Sequence, residues 1–587
     1  CVPENETDNL GVVFAYHQRT KHQRRAMAAG PGGLDWANQP DPFRRYEGAP
    51  QIRLAWQGFS KEAPASSNRS SIAAALSTPL NLASISQLFF ESLALSGRKA
   101  FAGSSWSLRV NPSSGNLHPI EAYLIAGPLA CYPGNDALQM DDARPVLHSS
   151  PALYHYAPQN HSLELLALIS GQSWQRLGLA GDTLLLAFSS ICWRQSWKYG
   201  ERAFRYCMLD AGHALAAVAL AAGCLGWRTM LQDGVSGPDL AALMGLNLPG
   251  RPLSGSGEDE HPVMLLSIFT GGEANSPTVN PESLSQIELQ PLPSRANHLS
   301  PQHIHWPAID LVEKASVKPP AQQASLSYPS SSHPSEKCGP SAIPDRYRSV
   351  LRRRRSAQAM DASVSMPLSV FHSILRAIMP KAPPMHALPW QPCIQPVFFV
   401  HRVEDLDAGL YILLRDGSGR DEPQDNCEQE PLEKMCKQKP DRVKREMQQA
   451  MREDYIWQRP SRMPEDLPLY LLDQGDSRIS AKATSCRQDI ASDGCFAVAM
   501  IARFAEPLKR SGPWFYPRLF WECGAMGQAL YLAAEAGGFQ GCGIGCFLDD
   551  MVHDMLGLCG PAYQDLYHFT VGRALLDPRI LNLPAYE

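Results

Sequence analysis

The sequence predicts two tandem α+β domains that are copies of one another, joined by a linker. Residues 212–226 read GHALAAVALAAGCLG and residues 524–538 read GAMGQALYLAAEAGG. Gly212, Leu220, Ala221, Ala222 and Gly226 match Gly524, Leu532, Ala533, Ala534 and Gly538 at a constant offset of 312 residues. The same offset carries Met244-Gly245-Leu246 onto Leu556-Gly557-Leu558, so the register holds over more than thirty residues and marks an internal duplication. The 587 residues are too many for one hydrophobic core and suit two. Short apolar runs of strand length are mixed with long helical patterns, which gives each copy the α+β sandwich class. A fused pair suggests a fold that works as a two-fold dimer with its site at the interface, so an intramolecular pseudo-dimer is expected.

The first copy is expected over residues 1–275. It opens with a polar helix-like segment containing YHQRTKH (16–22), followed by a Gly- and Pro-punctuated loop, GPGGLDWANQPDPFRRYEGAP (30–50). Helical pattern returns at 83–97, and 121–127, 183–190 and 264–272 read as strands, with the repeated helix between the last two. Residues 276–343 are rich in Ser and Pro and poor in aliphatics, so they read as a linker. The second copy is expected over 344–587. It begins with a basic loop and an amphipathic helix (368–379), and PVFFVHRV (396–403) reads as a strand. A charged stretch, 415–465, reads as a solvated helical insertion. FAVAMIARF (496–504), the second repeated helix and LYHFTVGRA (566–574) complete it.

Composition narrows the function classes. A net charge of −5 gives no global basic field, so no nucleic-acid partner is expected. The longest apolar stretch, 214–225, reads as too short to span a bilayer, so no membrane partner is expected. The N-terminus lacks the form of a signal peptide, which favours a cytoplasmic location; because residue 1 is Cys, a removed organelle-targeting peptide stays open. The 15 cysteines lack zinc-type pairing and read as mostly reduced small residues. Cys542 and Cys546 flank a glycine turn, GCGIGC; small side chains that let backbone approach a ligand are preferred to a redox pair. No spacing of His, Cys, Asp or Glu suggests a metal. No G-x-G-x-x-G joins a strand to a helix and no P-loop occurs, which leaves nucleotide folds little support.

Three local motifs carry chemistry. NPSSGNLHP (111–119) sets two hydroxyls, a glycine and an amide before a strand, either as a capped turn or as a loop offering donors and acceptors to a polar ligand. RRRRSAQ (352–358) precedes a helix, and its arginines suit bidentate phosphate contacts. TVGRA (570–574) ends a strand with Arg573, a further cation for the same phosphate. SWKYGER (196–202) holds Lys198 and Tyr199, with Arg202 and Arg205 as cationic neighbours able to lower the lysine pKa. His213 reads as a core histidine, and His118 lies closer to the Ser/Asn loop.

Together these segments resemble the FMN-dependent nitroreductase-like fold, specifically the SagB/ThcOx-type dehydrogenases in their two-domain form. The resemblance rests on NPSSGNLHPIEAYLI, SSICWRQSWKYGERAFRYCMLDAGHAL, LRRRRSAQAMD, FWECGAMGQALYLAAEAGGFQGCGIGCFLDD and LYHFTVGRALLDPR, and covers nearly the whole chain. It implies that FMN is shared across the interface. Arg354, Arg355 and Ser356 would serve its phosphate and ribityl, and Arg573 would add a phosphate contact. Ser113, Ser114 and Asn116 would reach it from the other domain. Gly541, Gly543 and Gly545 would let backbone approach the isoalloxazine. It also implies Lys198 and Tyr199 as the acid/base pair.

The mirror-image site looks vestigial. The counterpart of the Ser/Asn loop, APPMHALPWQP (382–392), has lost serine and asparagine. The first copy lacks the arginine entry, with Arg19, Lys21 and Arg24 as its nearest cations, and Glu273 stands near the position matching Arg573. One FMN per chain is therefore expected. The reading is an FMN-dependent oxidoreductase that moves a hydride between a small-molecule or peptide substrate and flavin N5. An NAD(P)H-dependent nitro or quinone reductase and a non-catalytic flavin-binding scaffold are the alternatives.

Overall fold

A computed structural model describes residues 4–56, 77–129, 150–179, 181–252, 255–270, 279–320, 345–415 and 440–586. The chain forms two compact units. The N-terminal unit is built on Gly30–Ser325 and also takes the residues leading to Arg353 and the tail from Pro578. The C-terminal unit is built on Arg354–Asp577 and takes the N-terminal segment up to Ala29.

The N-terminal unit contains strands β1 (Gln51–Arg53), β2 (Ile120–Ala126), β3 (Ala152–Ala157), β4 (Ser162–Ile169), β5 (Thr183–Ser190), β6 (Arg228–Leu231), β7 (His261–Phe269) and β8 (Leu289–Pro291). They form one antiparallel sheet in the order β8-β4-β3-β2-β5-β7-β6, with β1 pairing β4. In the C-terminal unit, β9 (Ile394–Val400), β10 (Gly409–Leu413), β11 (Leu469–Gln474), β12 (Phe496–Arg503), β13 (Gln540–Ile544) and β14 (Tyr563–Gly572) run in the order β11-β10-β9-β12-β14-β13. Strand for strand this is the path β4-β3-β2-β5-β7-β6, so the duplication read from two helices extends through the whole sheet.

The repeated sequence marks equivalent helices and turns. The helix Ala203–Cys224 is buried on all sides up to Ala222, and its match Tyr516–Ala536 is buried likewise up to Glu535. Their alanines and glycines suit close packing on all faces. Gly226 and Gly538 follow these helices at φ 76° and 80°, and Gly245 and Gly557 lie at φ 60° and 75°. A side chain with a Cβ is strained there, which explains why glycine recurs at both offsets. The run Cys192–Cys224, longer than the 214–225 stretch read from sequence, has the length and hydropathy to cross a membrane, but 89% of its window lies buried in the unit.

The sheets' apolar faces build the cores. In the N-terminal unit Tyr123, Ile125, Leu185 and Leu265 pack with Leu240 and Leu243 of the helix Gly237–Leu243. Val397, Phe399, Ala499 and Ile501 pack with Val552 and Leu556 of the helix Asp549–Leu556 in the C-terminal unit.

Four boundaries differ from the sequence reading. The segment 83–97 is a helix only over Leu82–Ser92, and a strand, Leu95–Phe101, takes over there because it pairs with Ser104–Arg109 and with the tail strand Leu581–Leu583. Residues 1–29 belong to the C-terminal unit, although they precede the first copy: Phe14 meets Phe504 at 5.6 Å, and His17 bonds Tyr516 and Gln564, both at 3.1 Å. Part of the 276–343 linker is folded into the N-terminal unit, where Val279 and Leu284 join the core. In the 415–465 insertion, 416–439 lie outside the described residues, but the helix Pro440–Ala450 is no solvated excursion, since Met447, Met451 and Tyr455 insert into the C-terminal core.

The N-terminal sheet also buries charge. Glu121 on β2 accepts hydrogen bonds from Arg194 and from His155 Nε2 (3.0 Å), while His155 Nδ1 contacts Glu164 at 2.8 Å. Burial opposes the charged imidazole, yet the hydrogen bonds to Glu121 and Glu164 raise its pKa to about 9. The stabilisation from this raised pKa is complete below about pH 6.5 and is lost as pH rises through about 9. Denaturation midpoints should fall over that window in the wild type, by on the order of 3 kcal/mol. The decline should flatten in His155→Gln.

Candidate functional site

The motifs singled out in the sequence form two clusters, one in each unit. In the N-terminal unit the Ser/Asn loop precedes β2 and carries three left-handed residues, Gly115 (φ 63°), Asn116 (φ 59°) and His118 (φ 51°). Such backbone persists only where neighbours over-determine it. Asp210, from the repeated helix Ala203–Cys224, supplies that anchor. It accepts from Ser113 Oγ (2.6 Å), Ser114 N (3.1 Å), Ser114 Oγ (3.2 Å) and Gln195 Nε2 (2.8 Å). Asn116 donates to Ser107 O at 2.9 Å and its Oδ1 meets His118 Nε2 at 3.0 Å.

The hydroxyls are therefore not equivalent. Ser113 Oγ donates to Asp210 and accepts from His118 N (2.8 Å) and Gln195 Nε2 (3.3 Å), so it is fully engaged within the loop. Ser114 Oγ keeps lone pairs for a ligand. Burial pushes the Asp210 carboxyl up to about 7, against the four hydrogen bonds that favour its anion.

Lys198 and Tyr199 end the helix Cys192–Tyr199 beside this loop. A Cβ on Gly115 would stand 2.7 Å from Tyr199 Oη and 3.3 Å from Lys198 Nζ. Position 115 must therefore be glycine both for its φ and for the approach of this pair. Lys198 is half-buried, and burial lowers its pKa. The sequence reading attributed that effect to Arg202 and Arg205; both are buried arginines, but desolvation of the lysine is the cause. Tyr199 packs on Tyr206 with ring centroids 4.4 Å apart. His213 is buried within its helix, as read.

In the C-terminal unit Tyr531, from the helix Tyr516–Ala536, gathers the other residues. Its hydroxyl lies 2.8 Å from Ser356 Oγ and accepts from Gly543 N at 2.8 Å, and Arg354 stacks over its ring at 5.0 Å. Ala357 N donates to Gly541 O at 2.9 Å, which lays the arginine segment alongside β13. Arg354 is buried, and desolvation lowers its pKa; Arg355 is half-buried and bonds the Arg354 carbonyl at 2.7 Å. The bridge between Met360 and Ala574 brings Arg573, exposed at the end of β14, to the same segment. A Cβ on Gly541 would meet Phe569 at 2.6 Å and one on Gly543 would meet Tyr567 Oη at 1.9 Å. These glycines are thus required by their own sheet. Gly545 follows β13.

The counterpart loop, 382–392, keeps the anchoring device with different partners. Glu522 sits at the position matching Asp210 and accepts from Trp390 Nε1 (3.1 Å), Cys393 N (3.1 Å), Ile394 N (3.2 Å) and Arg415 Nη1 (2.6 Å). Of the cations expected to replace the arginine entry in the first copy, Lys21 is paired with Asp550 of the C-terminal unit at 2.8 Å. Glu273 lies outside the described residues. Among the described residues no group of three or more His, Cys, Asp or Glu side chains could hold a metal ion.

The nitroreductase family model matches residues 59–266 and 351–573, most of the chain and once in each half. The chain belongs to the nitroreductase family. Members of this family are generally flavin-dependent oxidoreductases that bind FMN, and the two α+β units are tandem nitroreductase-like domains. A protein of Methanocaldococcus jannaschii named as a nitroreductase is 24% identical over 170 residues, which span 28% of this chain and 73% of the relative. A crystal structure from Anabaena variabilis, described as a nitroreductase, matches with a TM-score of 0.63 at 20% identity, over 96% of this chain and 99% of that one. That likeness shows the shared two-domain fold. The E. coli microcin synthetase complex aligns over 46% of this chain and 94% of its own at 18% identity, but with a TM-score of 0.24 it carries no argument.

Asp210, Gln195 and Tyr531 escaped the sequence reading, although Asp210 and Glu522 stand at the repeat offset and each is an acid in an apolar helix.

Proposed function

We propose that this nitroreductase-family chain is an FMN-dependent dehydrogenase of the SagB/ThcOx type, with one FMN per chain. The observation that carries the reading is the packing of Lys198 and Tyr199 against Gly115 of the Ser/Asn loop, because it joins an acid/base pair to the loop assigned to the flavin. The residues suit the cofactor. Arg354, Arg355 and Ser356, with Arg573 on an adjoining strand end, form a donor set of guanidinium and hydroxyl groups that suits a phosphate. Ser114 and Asn116 suit the polar edge of a heterocycle, with Ser113 holding the loop in place. Gly541, Gly543 and Gly545 bring backbone rather than side chains to their face of the site. The cationic entry occurs in one copy and the Ser/Asn loop in the other, which favours one flavin over two.

FMN, when bound, supplies a two-electron acceptor that takes hydride at N5. The chain's own residues handle the proton. A lysine whose pKa burial has lowered is a competent base near neutral pH, and the Tyr199 hydroxyl beside it can relay the proton. Removal of hydride and proton from one organic substrate, small molecule or peptide, is a dehydrogenation.

The test is the flavin content of purified protein, by visible absorbance and release of the bound cofactor. About one FMN per chain in the wild type and a large loss in Arg354→Ala/Arg355→Ala are expected, with the variant's far-ultraviolet circular dichroism unchanged. A wild type that stays colourless after reconstitution with FMN would sink the reading and leave a scaffold. Rapid bleaching of bound flavin by NAD(P)H would turn it toward a nitro or quinone reductase.

A further inference from the structure

The GCGIGC turn holds a cysteine whose partner lies sixty residues earlier in the chain. Cys546 Sγ stands 2.7 Å from Cys486 Sγ, inside the contact distance of two non-bonded sulfurs, and both residues are partly exposed. Cys542, which the sequence set beside Cys546, has its Sγ toward Gly543 O at 3.5 Å instead. We propose that Cys486 and Cys546 are a reversible dithiol–disulfide pair that staples the turn after β13 to the turn between the helices Arg478–Thr484 and Ile490–Asp493.

The backbone around both residues is built to hold the sulfurs opposed. Leu548 N donates to Thr484 O at 2.7 Å, and Gln488 Nε2 donates to Cys546 O at 3.0 Å, so the two turns are bonded on either side of the pair. The residues flanking the cysteines share one anchor. Ser485 Oγ lies 2.9 Å from His568 Nδ1, and the Phe547 ring stacks on the same imidazole at 4.6 Å. His568 is itself fixed by Asp565 at 2.7 Å. Cys486 and Arg487 take left-handed backbone (φ 52° and 60°), which is uncommon for residues with a Cβ and turns the Cys486 side chain to its partner. The bond can therefore form without moving the chain.

Oxidation of the pair releases two protons and two electrons, and a small disulfide such as oxidised glutathione accepts the electrons. One protein thiolate attacks a glutathione sulfur and expels one glutathione. The second thiolate then attacks the mixed disulfide, forming the Cys486–Cys546 bond and expelling the second glutathione. Reduced glutathione reverses both steps.

The test equilibrates the full chain in glutathione buffers from fully reduced to fully oxidised, traps free thiols by alkylation and maps peptides by mass spectrometry. The expected result is a joined Cys486–Cys546 peptide, lighter by two hydrogen atoms, rising from absent to dominant across the series and disappearing again on reduction. In Cys486→Ser, Cys546 should instead carry glutathione. Complete and independent alkylation of Cys486 and Cys546 at the oxidised end would overturn the proposal. Joining of Cys546 to Cys542 would also overturn it. The wild-type map decides the matter even if the variant does not fold, and none of these results depends on flavin.

Discussion

Glu522→Gln should lower stability by about 3–5 kcal/mol, the largest effect expected of any single substitution discussed. Glu522 and Arg415 are each 1% exposed and pair at 2.6 Å, so both charges are taken out of water and answer each other. Neutralising the acid leaves the arginine charge buried and uncompensated. The amide adds a second fault. Each carboxylate oxygen accepts from two donors: Arg415 and Ile394 N on one, Trp390 Nε1 and Cys393 N on the other. Whichever way the glutamine amide turns, its NH2 group faces two N–H donors with nothing to accept. Urea denaturation should show the midpoint lowered at an unchanged slope. A midpoint that does not move would mean that the pair contributes nothing.

Asp210→Asn should act in the opposite direction, although position 210 matches position 522 in the repeat. No arginine pairing accompanies the four hydrogen bonds to Asp210, and burial raises its pKa from 3.8 to about 7. A carboxyl whose folded pKa exceeds its unfolded value binds its proton more tightly in the native state. Its charge thus destabilises the fold progressively as pH rises from about 4 to about 7, and fully above that. The effect is on the order of 4 kcal/mol. Asparagine resembles the protonated acid. Gln195 Oε1, buried and without a partner among the described residues, can accept from the new amide once the Gln195 amide turns over. The variant should therefore be more stable than wild type at pH 8 and match it near pH 4. Equal stability at both pH values would sink this account. This window lies below most of the His155 window, so the two slopes separate in one pH series.

The fold was legible where the sequence repeats itself or keeps a strict period. The helices Ala203–Cys224 and Tyr516–Ala536 announced the duplication, and the apolar runs of β2, β5, β9 and β12 read directly as strands. An amphipathic segment shows that one face is buried but not what buries it, so the assignment of the helix Glu4–Arg19 to the C-terminal unit was out of reach. The charged stretch around 440–455 was misjudged on average composition. Its Met447, Met451 and Tyr455 recur every four residues, a stripe that identifies a core-facing helix. Within the site, the Ser/Asn loop, the arginine entry and the Lys-Tyr pair stood out as compact motifs. Asp210, Gln195 and Tyr531 act from one turn of a helix on residues far away in sequence, and a lone polar residue in a helix carries no periodic signal.

The exchange of chain ends has a bearing on how divisible this molecule is. Residues 1–29 complete the C-terminal unit, and the tail from Pro578 completes the N-terminal one, where Tyr586 Oη accepts from Leu95 N at 2.9 Å and donates to Pro158 O at 2.8 Å. A break at the repeat boundary would not yield two self-sufficient modules. The first fragment would keep a helix made for the other core and lose the strand that covers Leu95–Phe101, and the second would suffer the reciprocal loss. Fusion of the two copies has become a dependency, and a gene split at that boundary would have to express both fragments together for either to reach its folded form.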